Sequence, residues 1–593
     1  MNIVDTEVRV PHPTAVRRPR FGLWLAIFWV LLCVLLQVSV PWLGERFPSF
    51  DQQIANMLTG VLLILGALAF VTHGLFGKRY RGWQRLIPLL WLTAVVTLFG
   101  MLFRFERFTG DLRPEFSWRF SRPKVLPRPV RPVAAATRAT DQVAIDPTNS
   151  ESDRADSGAD PSASSTKIAE STPSGSSDFP QFLGPNRDGV IQNRLFDGDW
   201  VTNPPHVIWK QPIGSGWSGF AIVGDRAVTL EQRDDEQWIS CYLCETGELI
   251  WKEALAGYHF HPLGGAGPRS TPTIAGDRVF AQTATGQVVC LSLADGERIW
   301  LADLLEIAGI DQLTSEQAIA WGRAGSPLIV DNRVVVPFYR PAESPENVSC
   351  LIALDIATGA PLWEGVGDSM SYASPALLTL AGVRQVVSVN EQSVAGFDPA
   401  EGKRLWQFEW PGSSAGPANC SSPLAVGNNQ LLVSKGYGGG GAVWEIGLTD
   451  GTLKPTELWH RPQVLRTKFS NAVLSQDQEY AFALSDGVLE CIQLSNGQRM
   501  WRQPRTYRYG QGQMLRVEDL LLVQCEEGDV ALVVADSTRF EEVARLPVLR
   551  GTTWNFPAIS GDLLMVRNAD EAAAIRLPTR REQATSSERQ AVE

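Results

Sequence analysis

Three short motifs carry residue types that could do chemistry. Cys241-Tyr-Leu-Cys244 has the spacing of a redox or metal-binding pair, and His259-Phe-His261 places two imidazoles on one side of an extended segment. A glycine run at 436–441 could approach a phosphate closely. No second C-x-x-C, no third ligand beside the histidines and no Lys-Ser/Thr after the glycines accompany them. We therefore expect structural roles for all three motifs, and predict neither catalytic nor metal-binding residues.

The elements that must position these motifs repeat along the chain. A polar turn that contains glycine, followed by tryptophan, recurs along the chain. Clear copies end at Trp251, Trp300, Trp363, Trp406 and Trp501. A looser copy ends at Trp459, and a displaced one lies at Trp209. A second pattern marks an earlier strand, starting at Gly219, Thr271, Ser326, Ser374, Ser422, Asn471, Gln513 and Phe556. Eight starts of similar period, each with about four short strands, predict an all-β eight-bladed propeller over residues 179–578.

The ring of blades needs a closing strand. Trp209 lies before the first blade, whereas the last blade lacks a tryptophan strand of its own. The Trp209 strand is therefore predicted to complete blade eight, which removes an open sheet edge. The same slot in six blades and the closing strand indicates that the seven tryptophans pack neighbouring blades together. Blade seven has Ala544 near that slot and is expected to pack more loosely.

The candidate binding surface lies where the blades begin. Residues just before the innermost strand of each blade should converge on one mouth of the central axis. Arg, Tyr and Trp, the types that anchor interfaces, are frequent there. The predicted mouth residues are Trp217, Arg269, Arg323, Tyr372, Asn419, Lys468, Tyr509 and Trp554. The alternative is a water-filled funnel without a ligand.

Three apolar runs precede the propeller. The runs at 21–43, 54–76 and 86–103 predict three transmembrane helices, with His73 interfacial or packed. A cleaved signal peptide is the rival reading of the first run, but no A-x-A site follows it. Basic residues near the ends of the runs place residues 1–20 in the cytoplasm and the propeller outside it, on the periplasmic side of a bacterial inner membrane.

Residues 123–178 contain almost no large apolar side chains and so cannot bury enough surface to fold. Residues 104–178 predict a disordered linker rich in Pro, Ser and Ala, and residues 579–593 a disordered tail. Residues 1–178 hold 20 Lys and Arg against 15 Asp and Glu, while the remainder holds 33 against 49. An acidic main body argues against nucleic acid as a partner.

The repeats resemble the pyrroloquinoline-quinone-type (PQQ-type) propellers of quinoprotein alcohol dehydrogenases and of the non-enzymatic BamB-like branch. The resemblance is carried by DFPQFLGPNRDGV after 177, by GPRSTPTIAGDRVF (267–280) and by SYASPALLTLAGVRQVV (371–387). It implies the propeller fold. For the enzymes it also implies a quinone stacked on an aromatic floor beside Ca²⁺ and an Asp base. The sequence lacks an adjacent Cys-Cys pair and a C-x-x-C-H motif, and no calcium ligands can be assigned.

The leading hypothesis is thus a membrane-anchored extracytoplasmic propeller that serves as a scaffold for protein partners, in the manner of envelope protein assembly, without a cofactor. The first alternative is a PQQ-dependent dehydrogenase with a degenerate ligand set. The second is a signalling input domain, which the small cytoplasmic portion disfavours.

Overall fold

The computed structural model of this chain describes residues 21–47, 50–76, 82–120, 178–192, 196–416, 418–504 and 508–580. They belong to two compact units that divide after Ser121. The predicted cytoplasmic segment 1–20, linker residues 121–177 and tail residues 581–593 lie outside the described residues.

Helices dominate the N-terminal unit. They are α1 (Phe21–Arg46), α2 (Gln52–Phe76), a 3-10 turn (Gly82–Leu86) and α3 (Ile87–Leu102). Two stretches are long and apolar enough to cross a membrane, Gln52–Phe76 and Gly82–Leu102. The prediction of three such helices is corrected to two among the described residues, where the apolar stretch found in α1 is the shorter Ile27–Val40.

The predicted linker is ordered at its start. Strands β1 (Phe103–Phe108) and β2 (Pro114–Trp118) form an antiparallel hairpin directly after α3. The prediction of a disordered segment from residue 104 is therefore wrong for its first part. FRFERF and PEFSW alternate aromatic and polar residues with the period of two that favours strands, and a Thr-Gly-Asp turn joins them.

The second unit is the predicted eight-bladed propeller, preceded by β3 (Val190–Ile191) and β4 (His206–Pro212). Blades one to four run outward from the axis as antiparallel meanders, with the hairpin β9 (Phe260–His261)–β10 (Gly265–Ala266) between the first two. Blade one is β5 (Ala221–Val223), β6 (Arg226–Arg233), β7 (Glu236–Leu243) and β8 (Leu249–Ala256), and blade two is β11 (Thr273–Ala275), β12 (Arg278–Gln282), β13 (Gln287–Ser292) and β14 (Arg298–Asp303). Blade three is β15 (Leu328–Val330), β16 (Arg333–Arg340), β17 (Ser349–Asp355) and β18 (Pro361–Val366), and blade four is β19 (Ala376–Leu380), β20 (Val383–Val389), β21 (Ser393–Phe397) and β22 (Arg404–Glu409).

The remaining blades follow the same order. Blade five is β23 (Leu424–Val426), β24 (Gln430–Lys435), β25 (Gly440–Thr449) and β26 (Thr452–Arg461), and blade six is β27 (Val473–Leu474), β28 (Tyr480–Ser485), β29 (Val488–Gln493) and β30 (Arg499–Arg502). Blade seven is β31 (Gln513–Val517), β32 (Leu520–Gln524), β33 (Asp529–Val534) and β34 (Glu542–Pro547). Blade eight is β35 (Ala558–Ser560), β36 (Leu563–Arg567), β37 (Glu571–Arg576) and, as its outermost strand, β4.

A helical insertion separates blades two and three. It contains α4 (Leu304–Ala308), which Asp303 caps, and α5 (Gln312–Ala318), which Asp311 caps. Each cap carboxylate accepts a backbone N–H of the first helical turn. A short 3-10 turn (Pro345–Asn347) lies in the β16–β17 connection of blade three.

The predicted ring closure is confirmed. β4 pairs antiparallel with β37, with Trp209 opposite Ala574 and Pro212 opposite Glu571. The first two residues of the predicted tail also belong to the ring, because Thr579 pairs with Phe196 and Arg580 forms an ion pair with Asp519.

Buried charged side chains lie at the seam between blade eight and blade one, where Glu231 forms an ion pair with Arg233 at 2.8 Å. Arg567 of β36 donates to Gly214 O, Thr229 Oγ1 and Leu230 O at 2.7–2.9 Å. Glu231 of β6 is also fully buried, and accepts from the hydroxyl of Tyr242 at 2.5 Å. Burial alone would raise the pKa of Glu231, but the nearby guanidinium groups of Arg233 and Arg567 outweigh burial, so that this pKa lies below its usual value.

The seam between blades eight and one should therefore be acid-sensitive. Because Glu231 binds its proton less readily in the folded state, its contribution to stability is present above its usual pKa of 4.5 and is lost as the pH falls further. We expect Glu231→Gln to lower the free energy of unfolding at pH 7 by about 3 kcal/mol, because Arg567 loses its buried counter-charge. The variant should also show a flatter pH dependence below pH 4.5.

Urea titrations followed by near-ultraviolet circular dichroism between pH 7 and pH 3 measure both effects. Glu297→Gln, at an exposed turn, is the matched control and should change stability by less than about 0.5 kcal/mol. Equal acid sensitivity of wild type and Glu231→Gln would contradict the assignment.

Candidate functional site

The repeated tryptophans lie between neighbouring blades. The indole N–H of six of them donates to a backbone carbonyl of the following blade at 2.6–3.1 Å, and these are Trp209, Trp251, Trp300, Trp363, Trp459 and Trp501. The turn glycine of the next blade covers the ring in five cases. At Gly359, for example, φ is +73° and a Cβ atom would lie 2.6 Å from the Trp300 ring. Glycine and tryptophan recur together because the ring occupies the space of the missing side chain.

Two blades depart from this pattern for visible reasons. In blade four, Trp406 donates to Gln385 of its own blade and stacks with Phe408, which stacks in turn on Trp444 of blade five at 4.0 Å. The β25–β26 hairpin of blade five is longer than its counterparts, and its Gly451 has no side chain within 4 Å. In blade seven, Ala544 replaces tryptophan where blade eight offers no turn glycine, because its outer strand comes from the other end of the ring.

A circular set of hydrogen bonds surrounds the axis. We call it the hub belt; its buried members start the eight blades and are Gly219, Thr271, Ser326, Ser374, Ser422, Asn471, Gln513 and Asn555. The amide of one blade typically donates to the side chain of the next, as from Gly219 to Thr271 Oγ1 at 3.0 Å and from Thr271 to Ser326 Oγ at 3.0 Å. The last link runs from Asn555 Nδ2 to Ser218 O at 2.8 Å, so that the belt connects all eight blades.

The far end of the axis is filled by the chain itself. We call residues 178–191 the hub segment. Phe179 exchanges two backbone hydrogen bonds with Ile222 of blade one, and Ile274 of blade two donates to Pro180 O at 2.8 Å. β3, the end of the segment, pairs parallel with β31 of blade seven. The sequence motif was recognised, but its position in the hub was not predicted.

Arg187 fixes the hub segment to blade three. Its guanidinium is 5% exposed and donates to Ser326 O at 3.0 Å and to Pro327 O at 2.8 Å. Burial lowers the pKa of Arg187 to about 9, so that the group still carries its charge at neutral pH. Beside it, Gly189 has a φ of +72°, and a Cβ atom there would lie 2.8 Å from Val473 of blade six. The segment thus contacts blades on both sides of the axis.

At the opposite end, two of the predicted mouth residues meet directly. The rings of Trp217 and Trp554 are 4.6 Å apart and inclined by 42°, and Phe469 lies 5.0 Å from Trp554. The indole of Trp217 donates to Gly264 O at 2.6 Å, and that of Trp554 donates to Glu526 at 2.9 Å. Phe469 also belongs to this aromatic group, although the sequence predicts its neighbour Lys468 as the mouth residue.

Arg269 and Tyr372 also lie at the mouth. Arg269 is half-buried and donates to the carbonyls of Gly264 and Gly267 at 2.9–3.0 Å. Burial lowers its pKa to about 10, so it remains a cation. The hydroxyl of Tyr372 donates to Ser414 O at 2.5 Å and accepts the backbone N–H of Trp321.

The other four predicted residues serve the surrounding framework. Arg323 reaches away from the axis to Ser315 of α5 and the sulfur of Met370. The hydroxyl of Tyr509 donates to Glu542 on the outermost strand of blade seven at 2.6 Å. Asn419 donates to three backbone carbonyls, including Asn390 O at 2.8 Å, and Lys468 is fully buried, 5.7 Å from the Tyr437 ring.

A raised rim stands beside the mouth over blades one to three. We define the rim as residues 257–267 together with the helical insertion 304–324. The two parts are joined by His261, which stacks on Trp321 at 3.9 Å. Tyr258 and Phe260 are 54% exposed, and Leu313 of α5 is 62% exposed. Three large apolar side chains thus face solvent on a framework that is itself well packed.

The C-x-x-C pair, the two histidines and the glycine run all have structural roles in the propeller. Cys241 and Cys244 are buried free thiols, and burial raises the pKa of each to about 12. His259 is buried against Gly322, and burial lowers its pKa to about 4, while His261 faces Trp321. The glycine run joins β24 to β25, as predicted. Among the described residues, no three His, Cys, Asp or Glu side chains converge as metal ligands would.

A closed ring of eight blades, each hydrogen-bonded to the next around the axis, defines an eight-bladed β-propeller. The family model described as outer membrane protein assembly factor BamB matches residues 205–340 and 321–537. The chain belongs to this family.

The chain is similar to several solved structures at low identity. BamB from Moraxella catarrhalis is 14% identical, with a TM-score of 0.44 over 63% of this chain and 99% of that one. A europium-containing methanol dehydrogenase is 12% identical, with a TM-score of 0.50 over 66% and 89%. A quinohemoprotein alcohol dehydrogenase from Pseudomonas putida HK5 is 11% identical, with a TM-score of 0.48 over 68% and 81%. No curated protein matches this chain.

The hub segment should stabilise the ring through Arg187. We expect Arg187→Met to lower the free energy of unfolding by about 2–3 kcal/mol, because two buried carbonyls of blade three lose their charged donor. Arg384→Met removes an exposed guanidinium that pairs with Asp331, and should cost less than about 1 kcal/mol. Urea midpoints of the full chain measure both; equal effects would contradict a stabilising role of the hub segment.

Proposed function

We propose that this protein is a membrane-anchored scaffold that binds protein partners through the mouth face of its propeller. The helices Gln52–Phe76 and Gly82–Leu102 would anchor it, with the basic segment between them in the cytoplasm and the propeller on the extracytoplasmic side. The two long apolar helices and the distribution of Lys and Arg support this topology. The description of the family, an outer membrane protein assembly factor, extends the proposal to assembly of envelope proteins.

The observation that carries the proposal is the construction of the hub. A calcium-bound quinone needs an accessible flat aromatic face and several carboxylate or amide oxygens free to bind the cation. Here Trp217 and Trp554 pack against each other at 4.6 Å. Glu526, the carboxylate beside them, accepts from the Trp554 indole and from the Gln511 amide at 2.9 Å. These residues do not suit such a cofactor, and we propose that none is bound.

The rim has exposed aromatic side chains of the kind that bind protein partners. Aromatic side chains anchor interfaces because they bury a large area at little cost in side-chain entropy. Tyr258 and Phe260 are exposed on one loop, which is held in place by the Trp217 hydrogen bond to Gly264 and by the stacking of His261 on Trp321. A preformed framework lowers the cost of ordering on binding.

The rim can be tested with matched double variants of the full chain. We expect Tyr258→Ser/Phe260→Ser to weaken capture of the partner from crosslinked membranes by at least about tenfold, the loss typical of interface anchors. Ile299→Ser/Leu301→Ser, on the exposed outer strand of blade two, removes comparable apolar surface and should retain the partner. Identical partners at identical yield from both variants would contradict the role of the rim.

The dehydrogenase alternative makes the opposite prediction for the purified chain. Titration with pyrroloquinoline quinone and Ca²⁺ should give no saturable heat in a calorimeter and no reduction of an electron-accepting dye with alcohols. Stoichiometric uptake of the quinone with dye reduction would refute the scaffold and establish an enzyme.

A further inference from the structure

The hairpin β1–β2 has an unusual distribution of side chains for a segment outside a core. Its register pairs Phe103 with Trp118 and Phe105 with Phe116, which places these four rings on one face. A bulge after Phe105 adds one residue to β1 and brings Phe108 back to the same face. The rings touch in sequence, with centroids 4.8–6.0 Å apart.

The opposite face of the hairpin is polar. Arg104 pairs with Ser117 in the register, and its Nε donates to the Ser117 hydroxyl at 2.9 Å. Glu115 lies on the same side by alternation. The hairpin is therefore an amphipathic two-stranded sheet, and such a sheet needs something to cover its apolar face.

The aromatic face is open in this structure. Phe105, Phe116 and Trp118 are 46–48% exposed, and Phe120, just beyond β2, is 70% exposed. The layer continues onto the last turn of α3, where the Phe99 ring lies 4.9 Å from Phe103 and 5.0 Å from Phe116. The exposed aromatic surface of the hairpin is thus continuous with the apolar surface of the helix.

The hairpin is fixed at the end of the helices. Its base returns to α3, because the Arg119 amide donates to Leu102 O at 2.7 Å. Its turn reaches the first turns of α2, where Asn56 Nδ2 donates to Asp111 O at 2.9 Å. Since Gly74 near the end of α2 abuts Pro88 near the start of α3, the two helices are antiparallel. The hairpin therefore spans from the end of α3 to the start of α2, across one end of the helices.

The length of the helical stretch places this end at a membrane boundary. Gly82–Leu102 has 21 residues, which at about 1.5 Å each span about 30 Å, the thickness of the hydrocarbon core of a bilayer. The chain would leave the hydrocarbon near Leu102, where the hairpin begins. Trp and other aromatic rings are favoured at this depth, and Arg side chains meet the phosphate headgroups there.

We propose that the hairpin of residues 103–118 is an interfacial membrane element, with its aromatic face in the headgroup and acyl-chain boundary of the bilayer and its Arg104 face toward water. This inference rests on the proposed membrane anchoring, and it extends the anchor beyond the helices. The lipid surface is the occupant that matches the continuity of the hairpin with the α3 surface.

Site-specific photocrosslinking of the full chain tests the inference. The photoreactive residue p-benzoylphenylalanine replaces, one at a time, Phe116 on the aromatic face, Ser117 on the polar face and Val96 on the exposed surface of α3. The protein is placed in vesicles of phosphatidylethanolamine and phosphatidylglycerol and irradiated, and lipid adducts are measured by mass spectrometry of the modified peptide. Near-ultraviolet circular dichroism of the propeller verifies that each variant is folded.

We expect adducts to acyl chains at Phe116 with a yield close to that at Val96, and a loss to background at Ser117. Lipid adducts at Val96 without any at Phe116 would overturn the interfacial hairpin and leave the anchor intact. Absence of lipid adducts at both positions would overturn the anchor as well. Protein dimers or adducts with another protein at Phe116, or equal lipid yields at Phe116 and Ser117, would show that the aromatic face is not the lipid-facing surface.

Discussion

The propeller depends on one constraint: eight sheets must close into a ring in which every blade packs against two neighbours. Closure is made by β4, which precedes the first blade in the chain and completes the last one. At the axis, the hub belt also closes a circle. Each blade supplies a hydrogen-bond donor or acceptor to its neighbour, and Asn555 makes the final link to blade one. Arg567 of blade eight strengthens this seam by donating hydrogen bonds to Thr229 and Leu230 of blade one.

The way in which the hub is filled determines where function can reside. Arg187 and its neighbours occupy the far end of the axis, and the Trp217–Trp554 pair occupies the mouth. The chain's own residues therefore occupy both ends of the axis. Exposed aromatic side chains are instead found at the rim around Phe260 and, in the N-terminal unit, on the hairpin around Phe116. Both are the surfaces on which the proposed contacts with a protein partner and with lipid rest.

The periodic features were predictable from the sequence, because they recur for a local reason. At most blade contacts a turn glycine lies against the tryptophan of the preceding blade, so the ladder from Trp251 to Trp501 and the closing role of Trp209 could be predicted from the sequence. The directions of single side chains could not be predicted from the sequence. Arg323 and Tyr509 lie at the expected positions in the chain, but their side chains make contacts away from the axis. The hub segment depends on contacts with blades far along the chain, which a local pattern does not reveal. The hairpin after Leu102 was detectable by its alternation and was obscured by the basic, proline-containing sequence that follows it.

Hydrogen–deuterium exchange of the hub-belt amides in the full chain tests the closed ring most directly. The amides of Gly219, Thr271, Ser326 and Ser422 each donate to the next blade, so the account predicts that all four exchange only through global unfolding of the propeller and share one free energy of opening. Faster exchange at Gly219, beside the seam between blades eight and one, than at Ser422 on the far side of the ring would contradict it, because the ring would then open where β4 is meant to close it.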